Sequence, residues 1–124
     1  MRVKLLMRFF LSLSFLLVLA ACNEPEKNNT QLIAEAGRFI QTDHKQALEL
    51  LKQVKSGLLN EEQYIWFSLL QIRVWSIDGQ NVGEQSDAVV LNAKNYYIER
   101  NNAAKSAYAC YVYGYINYKA GDFN

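Results

Sequence analysis

Apolar residues recur along most of the chain at spacings of three and four, with polar residues between them. That is the rhythm of helices buried on one side. Leu32, Ile33, Ala36, Phe39 and Ile40 form a first such face. Thr42-Asp43 interrupts it, and Asp43 suits the N-cap of a second helix. The second stripe is Ala47, Leu48, Leu51 and Val54, and it fades at Ser56-Gly57. Asn60-Glu61-Glu62-Gln63 has the form of a capping box, with Glu61 and Glu62 over the positive end of the helix dipole. A third helix follows through Trp66, Phe67, Leu69, Leu70, Ile72 and Val74 to about Trp75. The stretch from Ile77 to Gln85 is polar with two glycines and predicts a loop. Ser86 and Asp87 offer a cap for a fourth helix carrying Val89, Val90, Ala93, Tyr96 and Tyr97. Asn101-Asn102 breaks the pattern again before a fifth helix, from about Ala103 to Ala120, stopped by Gly121.

The fifth helix carries the strongest pattern. Tyr108, Tyr111, Tyr115 and Tyr118 fall on one side, beside a ridge of small residues: Ala103, Ala107, Cys110, Gly114 and Gly121. Val112, Tyr113 and Ile116 extend apolar character to the remaining side. The expectation is a helix with neighbours nearly all round, its small ridge admitting close backbone approach and its tyrosines packed as core. Cys110 is then a small buried hydrophobe. A single proline and six glycines in 124 residues suit this all-α reading better than a many-turned β fold. No β-strand is expected between Thr30 and Ala120.

The first 22 residues follow a different logic. Arg2, Lys4 and Arg8 form a positive start, and Phe9 to Ala21 is apolar apart from Ser12 and Ser14. This run is shorter than the roughly 20 residues a permanent membrane-spanning helix needs, and reads as an export signal. It ends in Leu19-Ala20-Ala21-Cys22, which resembles the lipobox of bacterial lipoproteins. The resemblance implies that the Cys22 thiol accepts a diacylglycerol, that the chain is cut before it, and that several acyl chains of the palmitate class anchor the product. Asn23 to Asn29 is a polar tether, with Glu24 and Glu26 as a weak sorting signal. The expected division is a signal peptide over 1–21, lipidated Cys and tether over 22–29, and one helical domain over 30–124.

Removing the signal changes the charge. Ten basic residues then face twelve acidic ones, scattered without a basic patch, which argues against nucleic acid as a partner. The lone histidine, His44, lacks companions at metal-ligand spacing and reads as a surface residue. No nucleophile elbow, phosphate loop or dinucleotide fingerprint is present. Glu61-Glu62 suits a dipole partner better than an acid/base pair. No cofactor or metal and no enzymatic activity are expected.

Ala107-x-x-Cys110-x-x-Tyr113-Gly114, followed by Gly121-Asp122-Phe123, resembles the first half of a tetratricopeptide repeat. Cys110 departs from the aromatic usual there, and Asn117 from a common Tyr. Asp43-His44-x-x-Ala47-Leu48-x-x-Leu51-x-x-Val54 resembles a second repeat helix, and the third and fourth helices a more divergent pair. The whole resembles tetratricopeptide-repeat lipoproteins of Gram-negative bacteria. That resemblance implies antiparallel helix pairs stacked as a short solenoid, with the last repeat incomplete and the reading frame truncated. It further implies a protein-interaction scaffold in the cell envelope, lipid-anchored to the outer membrane and facing periplasm or surface, with a protein or peptide partner. The alternative is a glycan- or ligand-capturing lipoprotein stacking sugars on the aromatic segment from Tyr96 to Tyr118.

Overall fold

The structure, a computed structural model, describes residues 2–10, 27–80 and 82–121. The lipobox residues Leu19, Ala20, Ala21 and Cys22, most of the tether, and Asp122-Phe123 of the turn motif lie outside the described residues. Residues 2–10 form α1, with its side chains exposed. Five further helices follow: α2 (Asn29–Phe39), α3 (His44–Lys52), α4 (Glu61–Ile77), α5 (Gly83–Glu99) and α6 (Ala103–Lys119). A short 3-10 turn, Ser56–Leu58, leads into α4. Among the described residues there is no strand, and no helix is long and apolar enough to cross a membrane.

Side-chain caps set most helix starts. Asn28 and Asn60 each accept the backbone N–H three residues on, from Gln31 at 2.9 Å and Gln63 at 2.8 Å, and each glutamine reaches back to the cap's own N–H. Asp43 caps α3 by accepting from the Gln46 N–H, and Asn102 caps α6 by accepting from that of Lys105. Asn101 turns the chain between α5 and α6 in the left-handed conformation (φ 55°), which Asn tolerates better than most residues. Asn60→Ala is expected to cost about 1 kcal/mol, read as a lower urea midpoint with unchanged slope.

Polar contacts between helix ends fix their directions. Asn29, at the start of α2, exchanges two hydrogen bonds with the Lys55 backbone beyond the end of α3, so α2 and α3 are antiparallel. His44, opening α3, pairs at 3.4 Å with Asp78, which closes α4. Gln63 on α4 donates to Thr30 on α2, and Lys105 on α6 meets Glu62 on α4, both near helix starts. Hence α2, α4 and α6 run parallel, with α3 opposed to the neighbours it packs against. Each helix from α2 to α6 packs on the next, and α4 also touches α2 and α6.

Two apolar clusters hold these helices, and α4 feeds both. One joins Leu32, Ile33, Ala36 and Ile40 to Ala47, Leu50 and Leu51 of α3 and to Phe67, Leu70 and Val74 of α4. The other joins Ile65, Leu69 and Ile72 of α4 to Val90, Ala93 and Tyr97 of α5 and Ala109, Val112 and Ile116 of α6. A helix apolar nearly all round is what a central position requires.

Three details differ from the sequence reading. In α3 the buried stripe includes Leu50, while Leu48 and Val54 lie half-buried at the margin. The helix ends at Lys52, so Val54 no longer follows its periodicity. Helix α5 starts three residues before Ser86, entered through Gly83 at a φ of 65° that favours glycine. Ser86 is buried, and its hydroxyl donates back to the Val82 carbonyl instead of capping. In α6 the small ridge points outward. Ala103, Ala107, Cys110 and Gly114 are exposed, and a Cβ on Gly114 would meet open space. The buried apolar contacts of α6 with α5 and α4 centre on Ala109, Val112 and Ile116. Helices on those sides alone leave the opposite side in water, and Cys110 is on it.

Candidate functional site

The parallel arrangement of α2, α4 and α6 brings Trp66 and Arg73 of α4 beside the tyrosines and Lys105 of α6, with the start of α2 at one end. Trp66, in the second turn of α4, lies against both apolar clusters. Its ring meets Tyr108 of α6 at a centroid distance of 5.3 Å and the edge of Tyr97 of α5 at 6.1 Å. From Tyr108 the line continues to Tyr111 at 6.2 Å and to Tyr115 at 6.4 Å. Spacings of three and four residues on α6 keep these rings on one side. Tyr97 and Tyr108 anchor the line inward, whereas Tyr111 is 49% exposed.

At one end Lys105 pairs with Glu62 at 2.6 Å and stands 4.8 Å from the Trp66 ring centroid. Beside this pair is a cleft of about 250 Å³, walled by Thr30 and Ala34 of α2, Gln63 and Trp66 of α4, and Lys105 of α6. All three parallel helices therefore contribute to one concavity.

At the other end Arg73 lies beneath the tyrosines. It is only 4% exposed, and its Nη2 donates to the Tyr111 hydroxyl at 2.9 Å. The guanidinium carbon is 5.0 Å from the Tyr111 ring centroid and 4.2 Å from that of Tyr115. Its Nε and Nη1 have no hydrogen-bond partner, and it joins no ion pair among the described residues. Ring faces compensate part of a buried cation's desolvation, but they do not replace acceptors for its remaining N–H groups. Burial raises the pKa of Tyr108, and the Arg73 charge, together with a hydrogen bond from Arg73 to its hydroxyl that is too poorly aligned to satisfy Nε or Nη1, opposes that rise.

Tyr97 is a second buried polar group without a partner. Its hydroxyl makes no hydrogen bond, and burial raises its pKa well above the ordinary tyrosine value, with Glu62 and then Tyr96 adding to the rise. The folded form therefore keeps its proton while the unfolded chain loses one near pH 10. Stability from this group is complete below about pH 10 and falls by up to about 1.4 kcal/mol per unit above it. Tyr97→Phe is expected to flatten the alkaline decline between about pH 10 and 12, read by denaturant titration at each pH.

The remaining sequence candidates are distributed elsewhere. Glu62 is engaged by Lys105 and Glu61 is exposed, so the two carboxylates serve different surroundings. His44 faces Asp78 rather than Asp43, whose carboxylate caps α3. No group of three His, Cys, Asp or Glu gathers as for a metal among the described residues. Sequence reasoning missed Arg73. Its signal was a single charge inside Leu69-Leu70-Gln71-Ile72-Arg73-Val74-Trp75, on a helix with no polar side to place it. Such a charge is buried, and a buried charge needs a partner or a purpose. No protein-family model, curated protein or solved structure matches the chain.

Proposed function

We propose that the chain is a helical-repeat scaffold tethered to the cell envelope, which docks a segment of another protein on the face made by α2, α4 and α6. The single observation carrying this reading is the line from Trp66 to Tyr115, flanked by Lys105 and underlain by Arg73. Aromatic rings with cationic neighbours supply large, rigid contact area at low entropic cost, the composition of binding hot spots. The parallel run of α2, α4 and α6, with α3 opposed and each helix packed on the next, supports tetratricopeptide-like pairing, α2 with α3 and α4 with α5, with α6 opening a third pair. Leu19-Ala20-Ala21-Cys22 supports lipid anchoring through Cys22, and with it a place in the envelope, at the outer membrane.

Exposure of Tyr111 and Tyr118 favours a second reading, stacking of sugar rings on α6. Against it, Tyr97 is fully packed and Tyr108 half-buried, which leaves few free ring faces.

A photo-crosslinking residue placed at Ala34, Tyr111 or Asn92 in the encoding bacterium separates the readings. Ala34 and Tyr111 lie on the proposed face, and Asn92 on the exposed side of α5. The scaffold reading expects the same protein adduct from Ala34 and Tyr111 and none from Asn92. Adducts from Asn92 alone, or glycan adducts from Tyr111 alone, would exclude it.

A further inference from the structure

We infer that Arg73 is the receptor for a carboxylate, supplied by an Asp or Glu side chain within the docked protein segment. This rests on the docking reading above and names the chemistry that the face selects. A guanidinium offers pairs of parallel N–H groups that match the two oxygens of a carboxylate. In Arg73 one nitrogen of such a pair, Nη2, is occupied by the Tyr111 hydroxyl, while its neighbours Nε and Nη1 are empty. Two neutral tyrosine hydroxyls, that of Tyr111 at 2.9 Å and that of Tyr108, thus stand where a bidentate anion fits. The surroundings are complementary to an anion. Lys119 lies 5.7 Å from the Tyr115 ring, on the side opposite the Lys105 end, and the acid on the face, Glu62, is taken by Lys105. Nothing negative among the described residues competes for Arg73.

Access is through Tyr111. Its ring and hydroxyl cover the guanidinium, yet the side chain is half in solvent and belongs to neither apolar cluster, and in the docked state it turns outward to admit the anion. Arg73 lies well inside α4, and α6 runs past it in both directions, with Tyr108 on one side and Tyr115 on the other. A tyrosine line that extends both ways from Arg73 suits an acidic residue in the middle of a segment, flanked by apolar or aromatic side chains for the rings. An acidic sugar would need further acceptors and donors for its hydroxyls, and around Arg73 the polar groups are tyrosine hydroxyls.

The test is a phage-displayed library of random twelve-residue peptides, panned on the full chain in detergent, followed by affinities of the selected peptides as synthetic probes. Selected peptides are expected to carry an Asp or Glu with apolar neighbours. Converting that acid to its amide is expected to weaken binding at least about ten-fold. Arg73→Met should lose the same factor and no longer distinguish acid from amide. Tyr111→Phe, which removes one competing oxygen, should bind as tightly or more so. The acid-to-amide change is made in the peptide, so it reports even where a protein variant folds poorly. Peptides lost on Ala34→Arg but indifferent to Arg73→Met and to the acid-to-amide change would overturn the carboxylate assignment and leave the docking face standing. Absence of any selected peptide sensitive to Ala34→Arg would defeat the docking face itself. Arg73-dependent capture of polyuronate oligosaccharides without peptide binding would overturn the protein segment as occupant.

Discussion

Leu70→Ala is expected to lower the free energy of unfolding by about 2–5 kcal/mol, a large part of what a domain of this size possesses. Leu70 is 1% exposed and belongs to the cluster that α2 and α3 form on α4. Its Cδ1 lies 3.9 Å from where a Cβ on Gly37 would stand, so α2 approaches α4 closely at this point. Truncation there removes apolar burial and leaves a void between two rigid helices that cannot collapse into it. Leu58, 76% exposed, supplies the contrast, since Leu58→Ala should change stability by less than about 0.5 kcal/mol. Urea unfolding followed by far-UV circular dichroism measures both. Equal effects would mean that Leu70 is not packed between α2 and α4.

The second large effect has the opposite sign. Arg73→Met is expected to raise stability by about 1–2 kcal/mol, because two unsatisfied buried donors and a desolvated charge are exchanged for an apolar side chain of similar length. The loss of its ring contacts, about 1 kcal/mol, offsets only part of that gain. A residue whose removal stabilises the fold while weakening binding is the signature of a group retained for function. A loss of more than about 2 kcal/mol would instead make Arg73 a structural strut for α6.

Much of the helical layout was legible because it rests on local chemistry. Asp43, Asn60 and Asn102 stand where helices begin, and each cap is a bond between residues three apart. The stripe on α2 was equally readable, since neighbours only on one side impose a simple periodicity. Where burial depends on which helices come to lie alongside, the sequence was ambiguous. On α6 the apolar and small residues go nearly all round, so periodicity alone did not choose between the Ala109-Val112-Ile116 side and the Ala107-Cys110-Gly114 side. Ser86 looked like a cap, but Gly83 offered an earlier turn. The candidate face was half visible. The tyrosine line of α6 was read from spacing but expected as packed core, whereas Tyr111 and Tyr118 are exposed, and its junction with Trp66, Lys105 and Arg73 required knowing that α4 and α6 run parallel.

The most direct test is magnetic resonance of the Arg73 side chain. A buried Nε–H beneath two tyrosine rings should give a resolved signal, shifted upfield by the rings, slow to exchange with water, and with cross-relaxation to Tyr115 ring protons. A signal at the position of solvated arginines, exchanging rapidly and showing no tyrosine contact, would contradict the account of the face on which both the docking reading and the carboxylate receptor stand.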